Sequence, residues 1–356
     1  MQMKNPDRPR IKVLVVDDSL SNRELLIHIL SSDPEIEVVG TAGNGKEAAT
    51  AAERHKPDVI TMDIHMPVMD GYEATKLIMR EHPTPIVIVS GSTRANEVSA
   101  TFRAIEAGAL AAVQRPPGFT HAEYAAISEE LIRTVKLMSE VKVIRRFARS
   151  SEISAQSPRV APPVSEKRVD IEIAAIGAST GGPAAILRIL SEISKEISYP
   201  ILITQHISTG FMDGFIKWLG DASGFPVHIG TDGEHPLPGH AYIAPDGFHM
   251  GVSLGPIIRL SGHPPEQGLR PSVAFLFRTV AREYGPRAVG VLLTGMGKDG
   301  AAELKEMRER GAVTVAQDAD STIVNGMPGE AVRLGGATHI LPPEKIAELL
   351  SSFGKH

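Results

Sequence analysis

The segment 172-EIAAIGASTGGPAAI-186 ends an apolar run in a glycine-rich turn that surrounds Ser179. A phosphate-binding loop, G-x-x-x-x-G-K-[ST], would need a lysine that is missing, and a dinucleotide turn, G-x-G-x-x-G, would need glycine where Ser179 stands. The segment does fit G-x-S-x-G from Gly177 to Gly181, a sharp strand-to-helix turn that presents a serine hydroxyl as a nucleophile. The N-terminus of the following helix would offer backbone N–H groups to an oxyanion. A serine that simply suits a tight turn explains this segment alone equally well.

A serine nucleophile needs a base and a carboxylate that orients the base. His206 ends the next apolar run, and Asp299 follows a later one within a glycine-rich turn. If these runs are neighbouring parallel strands, all three side chains lie at the same edge of the sheet. His206 alone could be a surface imidazole, and Asp299 alone a helix N-cap. Together they predict a Ser–His–Asp hydrolase, in a chain order that differs from the Ser…Asp…His of α/β-hydrolases.

Acidic residues form a second candidate site near the N-terminus. Asp17 and Asp18 end the first apolar run, Asp63 ends the third, and Ser90 and Arg115 end the fourth and fifth. Carboxylates that meet at one sheet edge repel each other unless a hard cation such as Mg²⁺ joins them. A carboxylate beside Mg²⁺ can attack phosphorus and form an aspartyl phosphate, which a hydroxyl and a cation would then contact. Helix capping is the alternative for a lone aspartate, but three acids together with a hydroxyl and a cation at successive strand ends favour a phosphorylation site.

Both sites require sheets whose strands alternate with helices, and the apolar periodicity predicts two of them. The first region alternates five β-branched runs with five helical patterns, which indicates one doubly wound α/β domain with a parallel sheet. Its candidate strands are 11–16, 36–40, 58–62, 85–90 and 110–113, and its candidate helices are 20–31, 45–54, 71–81, 96–107 and 123–138.

The alternation resumes after residue 170 and predicts a larger, mainly parallel α/β domain with an antiparallel part between 226 and 260. Its candidate strands are 171–177, 200–205, 226–230, 240–244, 257–260, 288–295, 312–316 and 338–341, and its candidate helices are 183–195, 211–220, 271–284, 299–310 and 343–353. The Ser- and Pro-rich stretch between the two regions predicts a linker, with a basic docking segment as the alternative. We therefore expect domains at 10–138 and 171–354 joined by a linker at 139–170.

The composition narrows the class of protein. The chain has 356 residues, a net charge of −5 and no cysteine. Disulfides, thiolate nucleophiles and cysteine zinc sites are therefore excluded, and no basic stripe favours nucleic acid. No apolar run approaches the roughly 18 residues that span a bilayer, and the N-terminus does not resemble a signal peptide. The sequence predicts a cytoplasmic protein without membrane insertion.

The motifs VVDDS, MDIHMPVMDG and VSGST and the final cation before proline resemble response-regulator receiver domains over about residues 10–135. The resemblance implies a flavodoxin-like sheet of five parallel strands and phosphorylation of Asp63 by a histidine kinase. It implies a Mg²⁺ site and a switch pair. The metal site would comprise Asp17, Asp18, Asp63 and the backbone carbonyl of His65, and the switch residues would be Ser90 and Arg115.

Two positions depart from the receiver pattern. Arg115 stands where lysine is expected, and Ala111-Ala112 stands where Asp-Phe is usual. Arginine keeps the positive charge, but its guanidinium is longer and planar and is not equivalent to an ammonium. The departure therefore bears on how phosphorylation is coupled to the rest of the chain.

The second region resembles the catalytic domain of the chemotaxis protein-glutamate methylesterases, the CheB family. The motifs GASTGGP, TQHI, IAPDGFHM, RPSV, LLTGMGKDG and AQDADSTIVNGMP carry this resemblance over about residues 170–353. It implies hydrolysis of γ-glutamyl methyl esters on chemoreceptors, with release of methanol, and deamidation of receptor glutamines. Ser179 would attack the ester carbonyl, His206 would accept and return the proton, and Asp299 would orient the His206 ring. Backbone N–H groups near Thr180 and Met296 would form the oxyanion hole. No metal is needed in this domain.

The family architecture further implies that the unphosphorylated receiver covers the catalytic crevice, that phosphorylation opens it, and that the protein is a monomer. Two positions depart from the catalytic pattern: Ile207-Ser208 replaces the usual Met-Pro, and Ala274 replaces the usual aspartate. Two alternatives stay open from the sequence. The chain could be a receiver-controlled esterase or amidase for a non-chemotaxis protein, or a module that only binds another signalling protein.

Overall fold

A computed structural model describes residues 9–91, 95–141, 143 and 170–353. Most of the predicted linker at 139–170 therefore lies outside the described residues. So does the end of the predicted second domain, at residue 354.

The first domain is a sheet of five parallel strands in the order β2-β1-β3-β4-β5, as predicted. Strands β3 and β4 are buried throughout because helices cover both faces of the sheet, which is why they read as continuous apolar runs. The elements are β1 (Ile11–Val16), α1 (Leu20–Ser31), β2 (Ile36–Ala42), α2 (Gly45–His55), β3 (Val59–Met62), α3 (Gly71–Glu81), β4 (Ile86–Ser90), α4 (Ala95–Glu106), β5 (Ala111–Gln114) and α5 (Tyr124–Ser139).

The N-cap residues of helices α1, α2 and α3 are Ser19, Asn44 and Asp70, whose side chains each accept a hydrogen bond from a backbone N–H in the first turn. These capping residues follow the strand-end acids in the chain. Capping of these three helices is therefore supplied by other side chains than Asp17, Asp18 and Asp63.

The second domain holds a sheet of seven parallel strands in the order β14-β13-β12-β6-β7-β9-β8. A separate antiparallel hairpin of β10 and β11 packs on helix α8. The elements are β6 (Ile173–Ala178), α6 (Gly182–Glu192), β7 (Ile201–Gln205), α7 (Met212–Ser223), β8 (Val227–Ile229), β9 (Ala241–Ile243), β10 (His249–Ser253), β11 (Ile257–Ser261), α8 (Val273–Tyr284), a 3₁₀ turn (Gly285–Arg287), β12 (Ala288–Leu292), α9 (Ala301–Glu309), β13 (Val313–Gln317), α10 (Met327–Arg333), β14 (His339–Leu341) and α11 (Pro343–Ser352).

The expected antiparallel part is confirmed, but it is confined to the hairpin. Strands β8 and β9 lie parallel at the edge of the main sheet. Three elements were not predicted: strand β10, helix α10 and the 3₁₀ turn at Gly285–Arg287. Strand β10 is buried at four successive positions and so lacks the alternation that marks a half-exposed strand. Helix α10 has a proline and a glycine in its first turn, and both residue types have low helix propensity, so its sequence did not predict a helix.

Helix α4 of the first domain packs against helix α7 of the second. Phe102 stacks on Trp218 with ring centroids 5.3 Å apart and lies at 5.2 Å from Phe215, and all three rings are buried. This contact places α4, β5 and α5 over the carboxyl edge of the large sheet. No helix in the described part of the chain is long and apolar enough to cross a membrane.

Candidate active site

Three neighbouring strands bring Ser179, His206 and Asp299 to one cleft. Ser179 follows β6, His206 follows β7, and Asp299 lies in the loop after β12, where β6 is the central strand paired with both others. All three residues line a cleft of about 480 Å³ whose other wall belongs to the first domain. The grouping expected from the strand order is therefore present in the structure.

The turn at Ser179 is tight and is held from two sides. Gly181 adopts a φ of +80°, a conformation that favours glycine. The Ser179 N–H donates to the Thr294 carbonyl at 3.0 Å. A Cβ added to Gly295 would lie 2.7 Å from the Ser179 Cβ, so the loop after β12 passes directly against the serine.

The His206 ring is held by Asp299. Its Nε2 lies 2.9 Å from the Asp299 Oδ2, and its side chain is 11% exposed. Since the carboxylate engages Nε2, the Nδ1 atom is the one available to exchange a proton with a serine hydroxyl. No hydrogen bond joins Ser179 Oγ to His206 among the described residues; such bonds are often long in free enzymes and shorten once substrate binds.

Asp299 is buried and accepts four hydrogen bonds. Besides His206, the donors are the Ser272 hydroxyl at 2.9 Å and the backbone N–H groups of Val273 and Ala274 at 2.7 and 3.0 Å. The carboxylate thus faces the N-terminus of α8, and the alternative role as the cap of α9 does not apply. Burial acts to raise the pKa of Asp299, but the bonds from His206 and the α8 amides outweigh it and lower the pKa. The residue therefore stays ionised beside the imidazole.

The two oxyanion-hole candidates, Thr180 and Met296, both line the cleft. Neither backbone N–H donates a hydrogen bond to another described residue. The Thr180 carbonyl accepts a bond from the Thr294 hydroxyl at 3.0 Å, which fixes the peptide that follows. Two free amides at the mouth of a serine turn have the chemistry that an oxyanion needs.

The acidic site of the first domain also assembles. Carboxylate oxygens of Asp17, Asp18 and Asp63 lie within 4.8 Å of one another. Burial, and then the charge of Asp17, raise the pKa of Asp63 to about 6. The three carboxylates carry more negative charge than the nearby Arg115 can balance, and this excess fits a divalent cation with oxygen ligands; the receiver-type domain thus has a cluster suited to Mg²⁺. His65 is exposed in the loop after Asp63, and the role of its carbonyl stays a prediction.

Arg115 reaches across this site. Its Nη1 lies 2.9 Å from the Asp17 Oδ2, and its backbone N–H donates to the carbonyl of the buried Ser90 at 2.8 Å. A Cβ on Gly91 would lie 2.1 Å from the Arg115 Nη2. The guanidinium therefore occupies the space that any side chain at position 91 would need.

Sequence reasoning missed three residues that bear on these sites. Gln205 precedes His206 and lies within the quoted TQHI, while Ser272 lies within RPSV. Both were read only as parts of a motif, without a role of their own. Glu130 contacts the loop after His206 from the first domain, and no local pattern marks it.

The fold and the site define an α/β protein with a Ser–His–Asp arrangement of the serine-hydrolase type, covered by a receiver-type domain. A family model described as CheB methylesterase matches residues 174–350, and one described as response regulator receiver domain matches residues 13–122. The chain belongs to the CheB methylesterase family.

Similar proteins span nearly the whole chain. A protein of Nitrosospira multiformis is 55% identical over 96% of this chain and 97% of its own, and one of Syntrophus aciditrophicus is 53% identical over 96% and 97%. Both are named protein-glutamate methylesterase/protein-glutamine glutaminase. The crystal structure of the Thermotoga maritima CheB methylesterase catalytic domain is 34% identical and covers 52% of this chain and 99% of that domain, with a TM-score of 0.50.

Proposed function

We propose that this chain is a phosphorylation-controlled protein-glutamate methylesterase that hydrolyses γ-glutamyl methyl esters on chemoreceptors and releases methanol. The names of its relatives support this activity. The observation that carries the proposal is the 2.9 Å contact between His206 and the buried Asp299 in the cleft that Ser179 lines.

The reaction follows acyl transfer to serine. His206 accepts the Ser179 proton as the serine oxygen attacks the ester carbonyl, and the N–H groups of Thr180 and Met296 stabilise the oxyanion. The bond between the carbonyl carbon and the methoxy oxygen then breaks as His206 protonates that oxygen, so that methanol leaves and the acyl group stays on Ser179. Water, deprotonated by His206, hydrolyses the acyl-enzyme and restores Ser179. Asp299 keeps the imidazole oriented and stabilises its protonated form.

The same site serves deamidation of receptor glutamines, because His206 can protonate an amide nitrogen as it leaves as ammonia. The relatives' names include this second activity.

Control belongs to Asp63, which takes a phosphoryl group from a histidine kinase. Asp17, Asp18, Asp63 and the His65 carbonyl would hold Mg²⁺, which neutralises phosphoryl oxygens during the transfer. Ser90 and Arg115 would contact the new phosphoryl group. The first domain covers the cleft through α4, β5 and α5, and phosphorylation shifts the population toward an arrangement in which receptor helices reach Ser179.

The proposal includes the organisation of the chain. The receiver comprises 10–138, the linker 139–170 and the catalytic domain 171–354. The protein is cytoplasmic and monomeric and has neither a nucleic-acid partner nor a membrane-inserted segment. The catalytic domain works without a metal or cofactor.

The test is methanol release from methylated chemoreceptor helices, with and without a small phosphodonor such as acetyl phosphate. Wild-type chain should release methanol faster with the phosphodonor, and Ser179→Ala should release none while it keeps the fold. Near wild-type activity in Ser179→Ala contradicts the assigned nucleophile.

A fluorophosphonate probe separates the alternatives. Labelling of Ser179 without turnover of any methylated receptor favours an esterase for another protein. An absence of labelling favours a module that only binds a partner.

A further inference from the structure

Gln205, the last residue of β7, lies between the backbones of the nucleophile and the base. Its Nε2 donates to the Ser179 carbonyl at 2.9 Å and to the His206 carbonyl at 2.7 Å. A carboxamide nitrogen has two N–H groups, and here each is used on one of the two catalytic residues. The side chain is buried, with 1% of the residue exposed.

The turn leaves space for this carboxamide. A Cβ on Gly182 would lie 2.0 Å from the Gln205 Oε1. Gly182, the third glycine of the GASTGGP motif, is therefore required by Gln205, whereas Gly181 is required by its positive φ. The Oε1 atom is buried without a hydrogen-bond partner in the described residues. Such an orphan is unfavourable, so the two bonds of the nitrogen must hold the side chain in place.

The Ser179 carbonyl accepts hydrogen bonds from the Gln205 Nε2 and from the Gly182 N–H at 2.8 Å, and these two bonds together orient the peptide that carries the Thr180 N–H. The peptide between Ser179 and Thr180 is planar and trans, so its carbonyl and its N–H point in opposite directions. Since the carbonyl faces Gln205, the Thr180 N–H faces away from it. That N–H has no acceptor among the described residues, and Thr180 lines the cleft.

We propose that Gln205 is a positioning residue of the hydrolase: it holds the Ser179–Thr180 peptide so that the Thr180 N–H faces the developing oxyanion, and it ties this peptide to the backbone of His206. The inference rests on the proposed acyl transfer to Ser179. It adds Gln205 to the proposed site as a residue whose side chain acts through the backbones of Ser179 and His206.

The test compares Gln205→Met and Gln205→Glu, which keep the length of the side chain but cannot donate these two bonds. Removal of a single oxyanion donor lowers kcat about 10²–10³-fold in other hydrolases, and misplacement of the donor should cost roughly 10–100-fold by the same reasoning. We expect kcat to fall by this factor while KM changes less than about twofold, because the effect arises in the transition state. The pH profile should keep its shape, because the His206–Asp299 contact is intact.

The rate of fluorophosphonate labelling at Ser179 should fall by a similar factor in both variants, because the phosphonyl oxygen uses the same donor. This readout does not depend on the natural substrate, so it separates the failure of this inference from the failure of the proposed function. Thr204→Val is the matched control. It changes the preceding residue of β7, whose buried hydroxyl has no hydrogen-bond partner in the described part of the chain.

A labelling rate within twofold of wild type in either folded Gln205 variant overturns the proposal. An equal fall in Thr204→Val does so as well. If both Gln205 variants fail to fold, the same measurement is made on Gly182→Ala, whose Cβ displaces the Gln205 carboxamide. An unchanged labelling rate in this variant overturns the proposal. Slower labelling with an unchanged KM supports it.

Discussion

Glu130 on helix α5 of the receiver accepts a hydrogen bond from the hydroxyl of Ser208, two residues after His206, with 2.8 Å between the oxygens. Ser208 stands where the resemblance to the family leads us to expect proline, which has no hydroxyl to donate. The bond therefore belongs to this chain's version of the interface. It joins the covering domain directly to the loop that follows His206.

We predict that this contact stabilises the covered arrangement. Glu130→Ala and Ser208→Ala should each raise the methanol release of the unphosphorylated protein, because a bond to a charged group contributes about 1.5 kcal/mol, equivalent to roughly tenfold in the population of the open form. The double variant should show no further rise, since both changes remove the same bond.

Glu129→Ala is the matched control for this prediction. It removes the same charge from the exposed neighbouring position of α5 and should leave the basal rate unchanged. A rise in Glu129→Ala equal to that in Glu130→Ala would assign the effect to net charge and contradict the role of the bond.

The single tryptophan of the chain reports on the same interface. Trp218 stacks on Phe102 of the receiver and is 2% exposed. If phosphorylation of Asp63 separates α4 from α7, acetyl phosphate with Mg²⁺ should shift the Trp218 emission to longer wavelength in parallel with the rise in esterase rate. Asp63→Asn should show neither change. A rise in activity with an unaltered emission spectrum would mean that the cleft is uncovered without separation of these helices.

The strand ends could be predicted from the sequence because apolar periodicity places them, and parallel pairing then brings Ser179, His206 and Asp299 to one edge. The seven strands of the second sheet were also predicted, but β10 of the separate hairpin and helix α10 were not, since they lack the pattern of their class. Contacts that depend on how the two domains dock, such as those of Phe102 and Glu130, have no local signal. The hydrogen-bond partners of Gln205 likewise depend on three-dimensional placement, which the spacing of residues along the chain does not encode.

The receiver offers a test of the pair formed by Gly91 and Arg115. Because a Cβ on Gly91 would lie 2.1 Å from the Arg115 guanidinium, Gly91→Ala should displace that group and reduce the activation by acetyl phosphate. In an Arg115→Lys background, the smaller ammonium removes the collision, so the same Gly91→Ala change should cost much less.

The measurement is the ratio of esterase rates with and without phosphodonor in the four proteins of this cycle. A coupling between the two changes is expected because they are in contact. Equal losses from Gly91→Ala in both backgrounds would show that the glycine serves the loop itself and does not make room for the arginine.

Asp299→Asn gives the last prediction, which joins catalysis to stability. An amide keeps one acceptor oxygen but turns an N–H₂ group toward donors such as Val273 and His206, so the imidazole loses its orienting partner. A comparable change in another serine hydrolase lowers kcat about 10⁴-fold, and we expect a loss of that order. Burial of donors left without an acceptor should also cost about 2 kcal/mol of unfolding free energy at pH 7.

The pH dependence follows from the lowered pKa of Asp299. A carboxyl whose pKa is lower in the folded than in the unfolded state contributes stability above its unfolded pKa, near 3.8, and loses it as the pH falls through the folded pKa. The gap in unfolding free energy between wild type and Asp299→Asn should therefore be widest at neutral pH and shrink below about pH 4.

Urea denaturation of the full chain at several pH values measures this gap. Asp221→Asn, in an exposed pair with Lys217, serves as the control and should change stability by less than about 0.5 kcal/mol. If the gap for Asp299→Asn stays constant from neutral pH into the acid range, the ionised carboxylate is not what stabilises the N-terminus of α8 and holds His206.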